Sequence, residues 1–121
     1  LALIEAHEAG YDEALVLNTA GGPACWSAGN LWAVIGGVAV TPPLEAGALP
    51  GVVRARLLAS PLPTAERALR LEELAAAEEL WLSNVGRGVA AVTALDGVAV
   101  GAGVAGPLAQ AAQAWLSAQL G

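Results

Sequence analysis

Few side chains in this 121-residue sequence could carry out chemistry, and their types and spacing exclude the commonest catalytic and metal centres. His7 and Cys25 are the only soft metal ligands, whereas a structural zinc site needs four ligands, so we predict no metal site. Ser27, His7 and Asp12 could in principle form a hydrolytic triad, but the Gly-x-Ser-x-Gly elbow is missing. Cys25 follows no basic residue that would stabilise a thiolate, and we expect it to be a buried, unreactive side chain.

Two turns could bind an anion through the main chain instead of through side chains. Residues 49–54, LPGVVR, are typical of a tight turn that opens a helix, which leaves the N–H groups of Val52 and Val53 without helical acceptors. Residues 83–86, SNVG, form a second predicted turn after a strand and free further N–H groups. The two turns together could hold one phosphate group. The alternative is that each is an ordinary connector.

The elements that would position these turns alternate between strands and helices, which predicts an α/β fold. Gly36-Gly37 separates two apolar runs, Asn30–Ile35 and Val38–Thr41, and indicates a hairpin. Further strands are predicted over residues 13–18, 79–83, 88–95 and 98–101, and helices over residues 1–9, 52–59 and 71–77 and from Pro107 onward.

Composition restricts the class of protein. With 56% hydrophobic and 13% charged residues, the chain can bury a core and is expected to be a single domain over residues 1–121. A net charge of −6, with five arginines and no lysine, disfavours nucleic acids and anionic membranes as partners. The longest apolar run, residues 31–40, is too short to cross a bilayer. One cysteine and no visible signal peptide favour a cytoplasmic location, and the absence of methionine suggests part of a longer polypeptide.

Several segments occur in an order that resembles a known family. The most specific is TPPLEAGALPGVVR at 41–54, which is similar to a Thr-Pro-Pro … Leu-Pro-Gly-Ile-Thr-Arg signature. The weaker matches are GYDEALVLN at 10–18, ACWSAGNLW at 24–32, EELWLSNVGRGVAAVTALDG at 78–97 and GPLAQAAQAWL at 106–116. By these segments the chain resembles the class IV aminotransferases, the fold-type IV pyridoxal-phosphate enzymes. The resemblance implies a twisted mixed sheet or pseudo-barrel with flanking helices, the C-terminal domain of a subunit whose N-terminal domain is absent from this chain.

The resemblance also implies a role for each matched position. Val52 and Val53 would bind the phosphate of pyridoxal 5'-phosphate through their amides, with Asn84 and Val85 beside it. Cys25 stands where the family has a glutamate that pairs with the pyridine nitrogen. The Schiff-base lysine is implied upstream of residue 1, so no catalytic residue is assigned within the chain.

Three of these positions depart from the family pattern. A threonine is usual at the position of Val53, and a serine or threonine at that of Val85, so two phosphate contacts are expected to be lost. A neutral thiol at Cys25 would hold a proton on the pyridine nitrogen less well than a carboxylate. We therefore expect weaker cofactor binding than the family pattern gives.

The resemblance is strongest to one branch of the family. The small residues of CWSAGNLW at 25–32 resemble 4-amino-4-deoxychorismate lyase, which eliminates pyruvate to give 4-aminobenzoate, a folate precursor. Branched-chain or D-amino-acid transamination is the alternative activity. Two readings from other classes also stay open: a non-catalytic homologue, and a binding module for another phosphorylated ligand. The resemblance implies an amino-acid-like substrate and a homodimer.

Overall fold

The described part of the chain, residues 3–8, 11–95 and 97–120 of the computed structural model, folds into two five-stranded sheets. The first has the order β10-β9-β1-β2-β3 and comprises β1 (Leu3–Glu8), β2 (Tyr11–Leu17), β3 (Pro23–Trp26), β9 (Ala94–Leu95) and β10 (Val98–Ala99). The second has the order β6-β5-β4-β7-β8 and comprises β4 (Asn30–Ile35), β5 (Val38–Thr41), β6 (Thr64–Glu66), β7 (Glu79–Asn84) and β8 (Gly88–Val92). The helices are α1 (Val52–Leu58), α2 (Leu71–Ala75) and α3 (Pro107–Leu120), with a short 3-10 turn at Leu44–Ala46.

The second sheet is mixed, since β5 and β6 run parallel, whereas the other neighbouring strands among the described residues, in both sheets, are antiparallel. With the helices beside them, this confirms the predicted α/β class with a mixed sheet.

The second sheet is buried on both faces because its central strands alternate between two cores. In β4, Leu31 and Ala33 face a core shared with the first sheet, whereas Trp32 and Val34 face a core shared with α1 and α3. Strand β7 alternates in the same way. Burial on both sides explains why residues 31–40 read as a nearly continuous apolar run instead of an alternating one.

The predicted helix over residues 1–9 is wrong, because Leu3–Glu8 form a strand. β1 pairs antiparallel with β2, with His7 opposite Asp12, and its other edge pairs with β9. A strand between two neighbours has hydrogen-bonding partners on both sides, and that long-range pairing outweighs a local spacing that also suits a helix. The predicted helix stop at Gly10 lies outside the described residues.

The remaining elements lie close to their predicted positions. β4 and β5 have the predicted bounds, and Gly36 and Gly37 adopt the positive φ angles, +59° and +79°, that a two-residue hairpin turn favours. The predicted strand over residues 88–95 is interrupted at Thr93 and continues in the other sheet as β9. The sequence pattern does not predict β3 and β6, which are only four and three residues long. Asp96, predicted to open the turn before β10, lies outside the described residues.

The start of α2 gives the chain a pH-dependent contact. The two terminal nitrogens of the Arg67 guanidinium group, Nη2 and Nη1, donate to Glu73 at 2.9 and 3.2 Å, and the main-chain N–H of Arg70 donates to the same carboxylate at 2.9 Å. These contacts, the Arg67 hydrogen bonds above all, lower the pKa of Glu73 from 4.5 to about 2. The ionised carboxylate therefore stabilises the folded state.

We expect this contribution to be present above pH 4.5 and to be lost as the pH falls towards about 2, where Glu73 becomes protonated in the folded state. Because Arg67 is exposed, the contribution is expected to be about 1 kcal/mol or less. Urea unfolding at several pH values should show that the free energy of unfolding falls less between pH 4.5 and about 2 in Glu73→Gln than in the wild type. Glu72→Gln, the same charge change at an exposed side chain, is the control. An equal fall in the free energy of unfolding in Glu73→Gln and in the wild type would contradict the stabilising role of the Glu73 carboxylate.

Candidate functional site

Three chain segments that are far apart in sequence enclose one cavity of about 360 Å³. They are residues 27–30, from the turn after β3 to the first residue of β4, residues 49–53, from the turn before α1 into its first turn, and residues 83–85, at the end of β7 and just beyond it. We call this the loop cavity. Its lining is Ser27, Ala28, Gly29, Asn30, Leu49, Pro50, Gly51, Val52, Val53, Ser83, Asn84 and Val85. None of these described lining residues carries a charged side chain, so a charged group bound here would interact mainly with main-chain and amide dipoles.

The start of α1 supplies main-chain donors to the loop cavity. Gly51 is the extended residue before the helix, and the first helical hydrogen bond runs from the N–H of Ala55 to the carbonyl oxygen of Gly51 at 3.0 Å. Among the described residues no side chain caps this helix start. The N–H groups of Val52 and Val53 precede the first helical bond and therefore lack acceptors within the helix.

The second turn is shaped by the side chain of Asn84. Its Nδ2 donates to the carbonyl oxygen of Ala28 at 2.9 Å, and its Oδ1 accepts the main-chain N–H of Arg87 at 2.7 Å. Asn84 thus ties the 83–87 turn to the 27–30 turn. Val85, at the tip, is 77% exposed and offers no hydroxyl group to a ligand.

The structure brings together four of the five residues predicted for the site and places the fifth nearby. Val52, Val53, Asn84 and Val85 line the loop cavity, whereas Cys25 lines an adjoining cavity of about 630 Å³, which we call the Cys25 cavity. The two cavities share a wall formed by Ser27 and Leu49. A ligand longer than a phosphate group could therefore reach from the turns towards Cys25.

Cys25 is buried, with 7% of its surface exposed, as predicted from its sequence surroundings. Burial raises the pKa of its thiol above the ordinary value of 9.0. The group is therefore a neutral thiol at physiological pH, not a thiolate.

Sequence reasoning missed the part played by Asn30 and Gly51. The Asn30 Nδ2 donates to the carbonyl oxygen of Leu49 at 2.7 Å, and a Cβ atom added to Gly51 would collide with the Asn30 Oδ1. Both residues stand in segments that carry the family resemblance, and that was the available signal. Which atoms they contact is visible only in the folded chain.

Two arginines lie close to the loop cavity although they do not line it. Arg56 and Arg87 line a third cavity, of about 370 Å³, whose walls include Val52, Val53 and Val85. These valines are thus shared between the loop cavity and the cavity that holds the arginines. This arrangement places two of the five arginines on one side of the site, in a chain whose net charge is −6.

The loop cavity fits the phosphate end of pyridoxal phosphate, because the N–H groups at the uncapped start of α1 lack helical acceptors and a second turn lines the same cavity. The ring end does not fit equally well. The buried group there is a neutral thiol, which is a weak hydrogen-bond acceptor for a protonated pyridine nitrogen.

Two further properties concern the part of the chain that the structure describes. No group of three or more potential metal ligands occurs there. None of its helices is long and apolar enough to cross a membrane.

The fold and these segments define a class of protein. The family described as amino-transferase class IV matches residues 1–95, most of the chain. The chain therefore belongs to the class IV aminotransferase family, which confirms the family predicted from its motifs.

The similar proteins carry names for two activities, branched-chain aminotransfer and 4-amino-4-deoxychorismate lyase. The branched-chain-amino-acid aminotransferase of Escherichia coli K12 is 34% identical over 113 residues, covering 90% of this chain and 37% of that protein. The branched-chain aminotransferase of the archaeon Thermoproteus uzoniensis superposes with a TM-score of 0.81 at 31% identity, covering 89% of this chain and 37% of that one. A Legionella pneumophila protein provisionally assigned as a 4-amino-4-deoxychorismate lyase superposes with a TM-score of 0.80 at 28% identity, covering 91% of this chain and 41% of that one.

The chain thus spans less than half the length of these relatives. A further branched-chain amino acid aminotransferase of similar fold, with a TM-score of 0.81 at 27% identity, has been solved with pyridoxamine 5'-phosphate. A pyridoxal-phosphate cofactor is therefore confirmed for the family, as the resemblance implied.

Proposed function

We propose that the chain, residues 1–121, is the C-terminal cofactor-binding domain of a pyridoxal-phosphate protein that acts on an amino-acid-like substrate. The N-terminal domain and the lysine that carries the cofactor would lie outside the sequence given. In this proposal Val52, Val53, Asn84 and Val85 surround the phosphate, and the pyridine ring extends towards Cys25.

The observation that carries the proposal is the meeting of two turns in one cavity. The start of α1 and the turn after β7 are about 30 residues apart in sequence, and both line the loop cavity. A tetrahedral anion with several acceptor oxygens is the ligand that converging N–H groups suit best. A separate cavity for each turn would have removed this support.

Branched-chain aminotransfer is the activity best supported for the complete protein. The support is the 34% identity to the Escherichia coli enzyme over 90% of this chain. Aminodeoxychorismate lyase activity, the branch that residues 25–32 resemble most, is supported more weakly by the Legionella pneumophila relative. Assays with branched-chain amino acids and with aminodeoxychorismate would separate the two activities.

A non-catalytic homologue is the second candidate, and the ring end of the site favours it. Cys25 supplies a buried neutral thiol where the family pattern has a carboxylate. Such a protein would still bind pyridoxal phosphate through the loop cavity, so the binding experiment below tests what both candidates share.

Assembly and location are part of the same proposal. Leu49, Val52 and Val85 leave exposed apolar surface at the loop cavity, which supports association with a second copy. We propose a cytoplasmic homodimer.

A charge placed at the rim of the loop cavity tests the binding proposal. Val85→Asp adds a carboxylate at an exposed position, so folding should be preserved. We expect its repulsion of the phosphate to weaken pyridoxal phosphate binding about tenfold, measured by calorimetry.

Val104→Asp is the matched control, because Val104 is 67% exposed and does not line the loop cavity. The affinity of Val104→Asp for pyridoxal phosphate should stay at the wild-type value. Equal weakening in the two variants, or wild-type binding of pyridoxal phosphate no tighter than that of pyridoxal, would overturn the proposed function.

A further inference from the structure

Asn30 connects the two turns that line the loop cavity. Its main chain is paired with Ser83 at the start of β4, directly before Asn84 and the second turn. The position of Ser83 is itself fixed, because its Oγ accepts a hydrogen bond of 2.8 Å from the indole N–H of Trp32. One side of Asn30 is therefore anchored to the sheet that carries the second turn.

The side chain of Asn30 reaches the first turn. Asn30 is 4% exposed, and its Nδ2 donates to the Leu49 carbonyl oxygen at 2.7 Å. A Cβ atom at position 51 would collide with the Asn30 Oδ1, so no larger residue fits there without movement. The segment immediately before Val52 is thus held against Asn30 by a hydrogen bond and by close packing.

From this geometry we infer that Asn30 is a positioning residue for the phosphate, an inference that rests on the proposed function. Asn30 does not need to touch the cofactor. It fixes the spacing between the N–H groups of Val52 and Val53 and those of the second turn. Because preorganised donors bind a tetrahedral anion better than mobile ones, its removal weakens the interaction with phosphate and spares the interactions with the ring.

The test compares ligands with and without phosphate. Calorimetry on the purified protein measures the affinities for pyridoxal 5'-phosphate, inorganic phosphate and pyridoxal. In Asn30→Ala, affinity for the two phosphate-bearing ligands falls about fivefold or more, and affinity for pyridoxal stays within about twofold of the wild type.

Thr41→Val is the matched control for a general loss of stability. The Thr41 hydroxyl also donates one buried hydrogen bond to a main-chain carbonyl, that of Leu31 at 2.7 Å, and Thr41 does not line the loop cavity. In Thr41→Val, the ratio of the affinity for pyridoxal phosphate to the affinity for pyridoxal stays at the wild-type value.

If Asn30→Ala does not fold, Gly51→Ala disturbs the same contact from the other side, because its Cβ displaces the Asn30 amide. An unchanged affinity ratio in the folded variant, or the same change in Thr41→Val, overturns the positioning role. Failure of the proposed function looks different, because the wild type itself would then show no preference for pyridoxal phosphate over pyridoxal.

Discussion

Replacing Cys25 with glutamate is expected to tighten the binding of pyridoxal phosphate by about 10- to 100-fold. In the proposed pose the pyridine nitrogen points towards the Cys25 cavity, where the native group is a neutral thiol whose pKa is raised by burial. A carboxylate there would accept a charge-assisted hydrogen bond from the protonated ring nitrogen. Such bonds contribute about 1.5–3 kcal/mol, and each 1.4 kcal/mol is a factor of ten in affinity.

Calorimetric affinities for pyridoxal phosphate and for inorganic phosphate would check this expectation. Only the first should change, because the substitution lies outside the loop cavity. Cys25→Gln has the same size as the glutamate variant without its charge, and it should bind near the wild-type level. If glutamate and glutamine behave alike, the ring does not lie against residue 25, and that part of the proposed pose is wrong.

Replacing Glu79 with alanine is expected to lower the free energy of unfolding by about 3 kcal/mol, a large share of the stability of a domain this size. Glu79 is buried at the start of β7, yet its carboxylate contacts the beginning of α3. It accepts the main-chain N–H groups of Leu108 and Ala109 at 3.1 and 2.9 Å and the indole N–H of Trp81 at 3.1 Å. Alanine would leave three donors without this acceptor.

Urea unfolding of the wild type, Glu79→Ala and Glu79→Gln separates the hydrogen bonds from the charge. Glutamine keeps one acceptor oxygen but presents an NH₂ group to a donor, so a loss of about 1 kcal/mol is expected. A loss below about 1 kcal/mol in Glu79→Ala would show that the helix start does not depend on this carboxylate. The family resemblance gives no hint of this contact, which joins residues about 30 positions apart.

Local sequence pattern was sufficient for the hairpin of β4 and β5 and for the start of α3. In both cases neighbouring residues decide the conformation, through two glycines that adopt positive φ angles and through a proline at the first position of the helix. The same local signals were sufficient to place a tight turn before Val52. Local spacing failed for residues 3–8, because their conformation is determined by pairing with β2 on one edge and with β9, which is distant in sequence, on the other.

The amino-acid sequence by itself determined the family, the bounds of the central hairpin, and the two turns that could bind an anion, since each depends on short runs of residues. The tertiary structure decided that these turns share one cavity, that Asn30 joins them, and that Cys25 lies in the cavity next to theirs. The physical reason is that a binding cavity is formed by segments whose distances are fixed by strand register and core packing. Those long-range contacts leave no mark at any single position of the chain.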